Sequence, residues 1–108
     1  MGWGRAIDIV FSGEPITSDE ALRIGLATRV WPDVEFADRW RAYARDLAGG
    51  ATAAYALTKE GLNASWDRGL RDFLELEAAL QDRAGRSTDY VEGVQAFLEK
   101  RAARMTGS

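Results

Sequence analysis

Between Val34 and Arg104 apolar side chains return every three or four positions, and each run stops at glycine or a polar break. That period restricts the segment to amphipathic helices, because a strand with one buried face repeats every second residue. In 34–48 the stripe is Phe36, Trp40, Tyr43, Ala44 and Leu47, closed by Gly49-Gly50. In 52–66 it is Ala54, Leu57, Leu62 and Trp66, with an interior Gly61 that costs about 1 kcal/mol relative to alanine. After a break near 67–69, the run 70–84 carries Leu70, Phe73, Leu74, Leu76 and Leu80. After "GRSTD", the run 90–104 sets Val91, Val94, Phe97 and Leu98 on one side and ends in a polar tail.

The first third is less regular. "RAIDIVF" (5–11) reads as a short helix with Ala6, Ile9 and Val10 on one side, stopped by Ser12-Gly13 and Pro15. Thr17 and Glu20 have capping-box spacing and open a helix with Ala21, Leu22 and Ile24 that meets Gly25. "ATRVW" (27–31) has the β-branched and aromatic content of a short strand, ended by Pro32. The expectation is a mainly α chain of five to six helices and one very short strand.

Composition removes several classes of function. A hydrophobic share of 46% with 29% charged residues is that of an ordered globular chain. A net charge of -3 with no long basic run argues against nucleic acid as a partner. Cysteine and histidine are both absent, so disulfides, the usual zinc sites and Ser-His or Cys-His nucleophilic pairs are excluded within the chain. No metal site is expected. No apolar run approaches the roughly 20 residues of a membrane span, and "MGWGRAIDIVF" is too short and charged for a secretory signal. The expectation is a soluble, cytoplasmic protein with no membrane partner.

Candidate chemistry is sparse. "AGGAT" (48–52) lies between two helices, the wrong context for a phosphate loop. Glu75 and Glu77 point to different faces, and Glu92 and Glu99 share a face beside Lys100 and Arg101, a solvated charged surface. No pair stands out as a general acid and base. The eleven large aromatic rings are more than a small helical unit needs for its own core, which points to cover on another chain. Of the fourteen basic residues only Lys59 and Lys100 are lysines. Lys100, near a helix C-terminus, is favoured there by the dipole; the functional alternative is an ammonium offered to a phosphate.

Taken in order, three passages resemble the C-terminal part of the enoyl-CoA hydratase/isomerase (crotonase) superfamily. They are "GRAIDIVFSGEPITSDEALRIGLATRVWP", then "ALTKEGLN" with Lys59 and Asn63 in a K-x-x-x-N pattern, and the closing "STDYVEGVQAFLEKRAARMTG". Departures include Ser12 for a threonine, Ala27 for a valine, Ala51 and Ala103 for prolines, and Met105 for an aromatic residue. The resemblance implies that 1–32 is the end of a β/α spiral core with its connecting passage, and that 33–108 is the helical region that follows. It implies an acyl-CoA thioester as substrate and no cofactor.

The family's oxyanion hole and acid residues match stretches upstream of Met1. No catalytic residue is therefore assigned, and the chain alone is expected to be inactive. Its implied contributions are association into trimers or hexamers, or with a complementary N-terminal half, and cover over the acyl pocket. Lys100, in "FLEKR", matches a lysine near the adenosine-phosphate end of CoA in some members, and an aromatic that partners it there falls near Gln81 in this chain. The alternative is a non-catalytic helical self-association module or a truncated remnant.

Overall fold

The computed structural model describes residues 1–108 and contains six helices: α1 (Trp3–Ser12), α2 (Ser18–Arg23), α3 (Asp33–Ala48), α4 (Thr52–Ala64), α5 (Leu70–Gly85) and α6 (Thr88–Glu99). It divides into two compact units, Met1–Trp40 and Arg41–Ser108, the division falling inside α3.

In the first unit, α1 closes at Gly13, whose amide donates to Ile9 O at 3.2 Å. Ala6, Ile7 and Ile9 are half-buried, while Trp3, Val10 and Phe11 are exposed. α2 starts as its cap predicts, with Thr17 Oγ1 accepting from Glu20 N at 3.2 Å. The reciprocal arm of the box is not used, because the Glu20 carboxylate pairs with Arg23 Nε at 2.6 Å. α2 ends in a Schellman turn: Leu26 N donates to Ala21 O at 2.8 Å and Gly25 N to Leu22 O at 3.2 Å. Ile24 is the buried residue this turn produces.

The strand expected over 27–31 does not form, and the chain contains no strand. β-branched and aromatic content shows only that a segment suits a pleated surface; a strand also needs a neighbour to complete its ladder. Trp31 has another task. Its ring meets Phe36 edge-on at 6.1 Å, which staples the residue before Pro32 to the first full turn of α3.

In the second unit, α4 packs on α5 and α5 touches α6. The contact between α4 and α5 runs through Gly61 and Leu80, both buried. Glu60 and Arg83 close its edge with an ion pair at 3.1 Å. A β-carbon on Gly61 would lie 3.1 Å from Leu80 Cδ1, so the glycine is what lets the helices approach. The broad apolar face expected on α5 splits into two stripes. Phe73 and Leu80 line a groove of about 260 Å³ against Leu57 and Leu62 of α4, while Leu70, Leu74 and Ala78 line a second, open surface.

α6 ends at Glu99, short of the 104 that its pattern allows, and its expected stripe of Val91, Val94, Phe97 and Leu98 is exposed. The buried positions are Asp89 and Ala96, with Gly93 between them in contact range of the tail residue Met105. These three are spaced i, i+4, i+7, one face of a helix. At Asp89 and Gly93 this face meets the returning tail, which a carboxylate and a glycine accommodate.

Candidate functional site

The Lys100 region is built by α6 and by the chain that returns along it. Ser87 caps α6, its Oγ accepting from Tyr90 N at 3.1 Å. Two turns of helix then place Asp89 and Glu92 on the side where the tail 100–108 runs back. Asp89, only 3% exposed, accepts from Thr106 N at 2.6 Å, Thr106 Oγ1 at 3.1 Å and Gly107 N at 2.8 Å. Its own amide donates to Ser108 O at 3.0 Å. Glu92 accepts from Arg101 Nη1 at 2.6 Å, Arg101 Nη2 at 2.9 Å and Arg104 N at 2.7 Å.

The two carboxylates thus form a clasp that satisfies backbone donors of a segment with no secondary structure of its own. Gly107 belongs to it: its φ is 81°, and a β-carbon there would collide with Thr52 Oγ1. Arg101 is shared, its Nε donating to Glu99 Oε2 at 2.6 Å while its fork spans Glu92. Glu92 and Glu99, expected to form a loose solvated surface, are drawn together by this one guanidinium.

The electrostatics follow the hydrogen bonds. The Arg101 guanidinium and then the Arg104 amide hold the Glu92 carboxyl at about 2. The Thr106 amide, against the cost of burial, lowers Asp89, with Gly107 assisting. Arg101 and then Gln95 lower Glu99. Away from the clasp, Arg23 lowers Glu20 and Arg86 lowers Asp82. Every carboxylate that departs from its ordinary range is therefore held ionised, the opposite of what a general acid working near neutrality needs.

The clasp has a pH dependence of definite sign. A carboxylate whose folded pKa lies below its unfolded value stabilises fully above the unfolded value, roughly pH 4 to 4.5, and loses that contribution as pH falls through the folded pKa. The Glu92 part of the clasp is expected to be intact at pH 5 and above and to be lost as the pH falls toward about 2, where Glu92 takes its proton. Carboxyl NMR titration checks this. A Glu92 midpoint in the ordinary glutamate range would mean that Arg101 and Arg104 are not on it in solution.

Lys100 itself is exposed and forms no ion pair. It follows α6 with φ 54° and ψ 40°, a left-handed conformation, and its amide donates to Phe97 O at 3.2 Å. Gln81 lies on α5 and lines the α4–α5 groove. Lys59 and Asn63 are exposed on α4, and Gly49–Ala51 is the turn from α3 into α4. Asp89 is an organising residue that sequence reasoning did not single out, and Glu92 and Arg101, read there as part of a solvated charged surface, join it. The available signal was the Asp89–Glu92 spacing of three on a capped helix followed by a glycine-bearing tail.

The family model for enoyl-CoA hydratase/isomerase matches residues 1–108. The chain belongs to this family. A curated family relative from Rhodobacter capsulatus, described as an enoyl-CoA hydratase, is 45% identical over 107 residues, covering 99% of this chain and 42% of that protein. The 1,2-epoxyphenylacetyl-CoA isomerase of Escherichia coli is 37% identical over 98% of this chain and 40% of its own length. Among family structures, an enoyl-CoA hydratase/isomerase from Mycobacterium abscessus superposes with a TM-score of 0.93 at 36% identity, over 99% of this chain and 41% of that one. The chain thus spans about two fifths of the length of the family members it matches. No helix is long and apolar enough to cross a membrane.

Proposed function

We propose that this chain is the C-terminal part of an acyl-CoA enzyme of the enoyl-CoA hydratase/isomerase family. In this reading 1–32 ends the catalytic core and its connecting passage, and 33–108 is the helical region. Its tasks are subunit association, cover over the acyl pocket and, through Lys100, contact with the phosphate-bearing end of CoA. The reaction itself, stabilisation of a thioester enolate by backbone N–H groups with carboxylates moving the proton, belongs to upstream residues. The observation that carries the reading is the match of 99% of the chain to about two fifths of family members named for acyl-CoA chemistry.

Surface exposure supports the association task. The chain exposes 8796 Å². Two separate globules of the size of its two units, 40 and 68 residues, would together show about 7,000 Å² by size scaling. Trp3, Phe11, Val34, Trp66 and Phe97 are each more than 80% exposed, an arrangement that calls for protein cover. The same exposure is what the second reading, a non-catalytic helical self-association module, predicts. Native mass followed by denatured mass separates the two: a second, larger polypeptide supports the enzyme reading, and a homo-oligomer of the 11.9 kDa chain supports the module.

Lys100 is tested in the acyl-CoA enzyme that carries this chain. Lys100→Ala is expected to raise KM for a CoA ester about three- to fivefold, the range of an exposed ion pair, with kcat nearly unchanged. An unaltered KM would remove Lys100 from the binding site.

A further inference from the structure

Lys100 is the single non-glycine residue with positive φ. Gly13 and Gly25 take the left-handed conformation where α1 and α2 close. At the end of α6 the same backbone turn is made by a lysine, although its β-carbon crowds the following carbonyl there and a glycine's would not. Strained conformations persist where their surroundings over-determine them, and they gather at ligand sites.

The surroundings here are specific. Arg101 N donates to Ala96 O at 3.0 Å, the outer bond of the turn. The Arg101 side chain is then tied on two sides, to Glu92 through Nη1 and Nη2 and to Glu99 through Nε. Glu92 also receives the amide of Arg104 at 2.7 Å. The residue directly after Lys100 is thereby fixed from α6 and from the tail at once. Its charge is spent on two carboxylates, while the neighbouring ammonium of Lys100 stays unpaired at the surface.

We propose that Arg101, clamped between Glu92 and Glu99, is a positioning residue: it holds the left-handed turn at Lys100 so that the ammonium is presented in one place to a phosphate of CoA. This rests on the reading of Lys100 as a CoA contact. Arginine suits the task because its planar fork spans one carboxylate while Nε reaches another, which a lysine ammonium cannot reproduce. A glycine at position 100 would make the turn more easily and carry no ammonium.

The test is a double-mutant cycle in the acyl-CoA enzyme that carries this chain, with CoA as the titrated ligand and its dissociation constant read by calorimetry. Lys100→Ala and Arg101→Gln are each expected to weaken CoA about three- to fivefold. The double variant is expected to be no weaker than Lys100→Ala, since Arg101 acts only through the lysine. If Arg101→Gln impairs folding, Arg101→Lys replaces it; that variant keeps the charge, loses the fork and is expected to weaken CoA in the same non-additive way. Weakening by Lys100→Ala with none from either Arg101 variant overturns the positioning role, as do effects that add. No effect from Lys100→Ala overturns the CoA reading of Lys100, and the inference with it.

Discussion

Gly61→Val is expected to lower the unfolding free energy by about 2–3 kcal/mol, the range for inserting carbons into a packed contact. A single β-carbon at that position would already sit 3.1 Å from Leu80 Cδ1. The two γ-carbons of valine would have to displace Leu80, one of the few buried side chains in the chain, or push α4 from α5. Either response opens the contact that Glu60 and Arg83 close at 3.1 Å. Gly61→Ala is the informative companion. The gain of about 1 kcal/mol from replacing an interior helical glycine opposes the compression of Leu80, so the variant is expected to be close to neutral. Urea unfolding followed by circular dichroism reads both. Equal midpoints for valine and wild type would mean that α4 and α5 do not meet through Gly61.

Gly61 also shows what kind of information a sequence withholds. Read along the chain it is a defect in α4; read in space it is the point of closest helix approach. The helices themselves were legible because their signal is local: apolar period, the Thr17 cap, the breaks at Gly49-Gly50 and near Gly69. The strand at 27–31 was misread because a strand depends on a partner that its own residues do not specify. On α6 the stripe of Val91, Val94, Phe97 and Leu98 correctly signalled a helix and an apolar face. It did not identify the side buried within this chain, since large apolar residues go wherever cover is available and Asp89, Gly93 and Ala96 carry little hydrophobic weight beside them.

The candidate site divides in the same way. The sequence points to Lys100 only through the order of three passages that resemble one family, and its role toward CoA is a proposal. Its left-handed backbone was not legible, because that conformation is usually announced by glycine. The clasp was hidden for a different reason. Glu92 and Asp89 find their partners nine to eighteen residues away, several of them backbone amides, and an amide is present at every non-proline position. A carboxylate facing solvent and one facing the N–H groups of a returning tail have the same letter and the same local spacing.

Asp89→Ala is therefore expected to free the tail while leaving α6 intact. The substitution removes the acceptor of the Thr106 and Gly107 amides and of the Thr106 hydroxyl in one step. Bonds that remain near the chain end, Thr88 Oγ1 to Ser108 O at 2.6 Å and Asp89 N to Ser108 O at 3.0 Å, engage Ser108 and leave both amides without a partner. Hydrogen exchange at Thr106 and Gly107 is expected to accelerate by at least about tenfold, as for a segment passing from clamped to locally open. Exchange within α6 should change little, because Ser87 supplies its N-cap independently. Asp89→Asn is not expected to restore protection. An amide has the shape of the carboxylate but replaces one of its two accepting oxygens by a donor, and both oxygens are in use, Oδ1 by Thr106 and Oδ2 by Gly107. Slow exchange at Thr106 and Gly107 in the alanine variant would show that the tail is held by something other than Asp89.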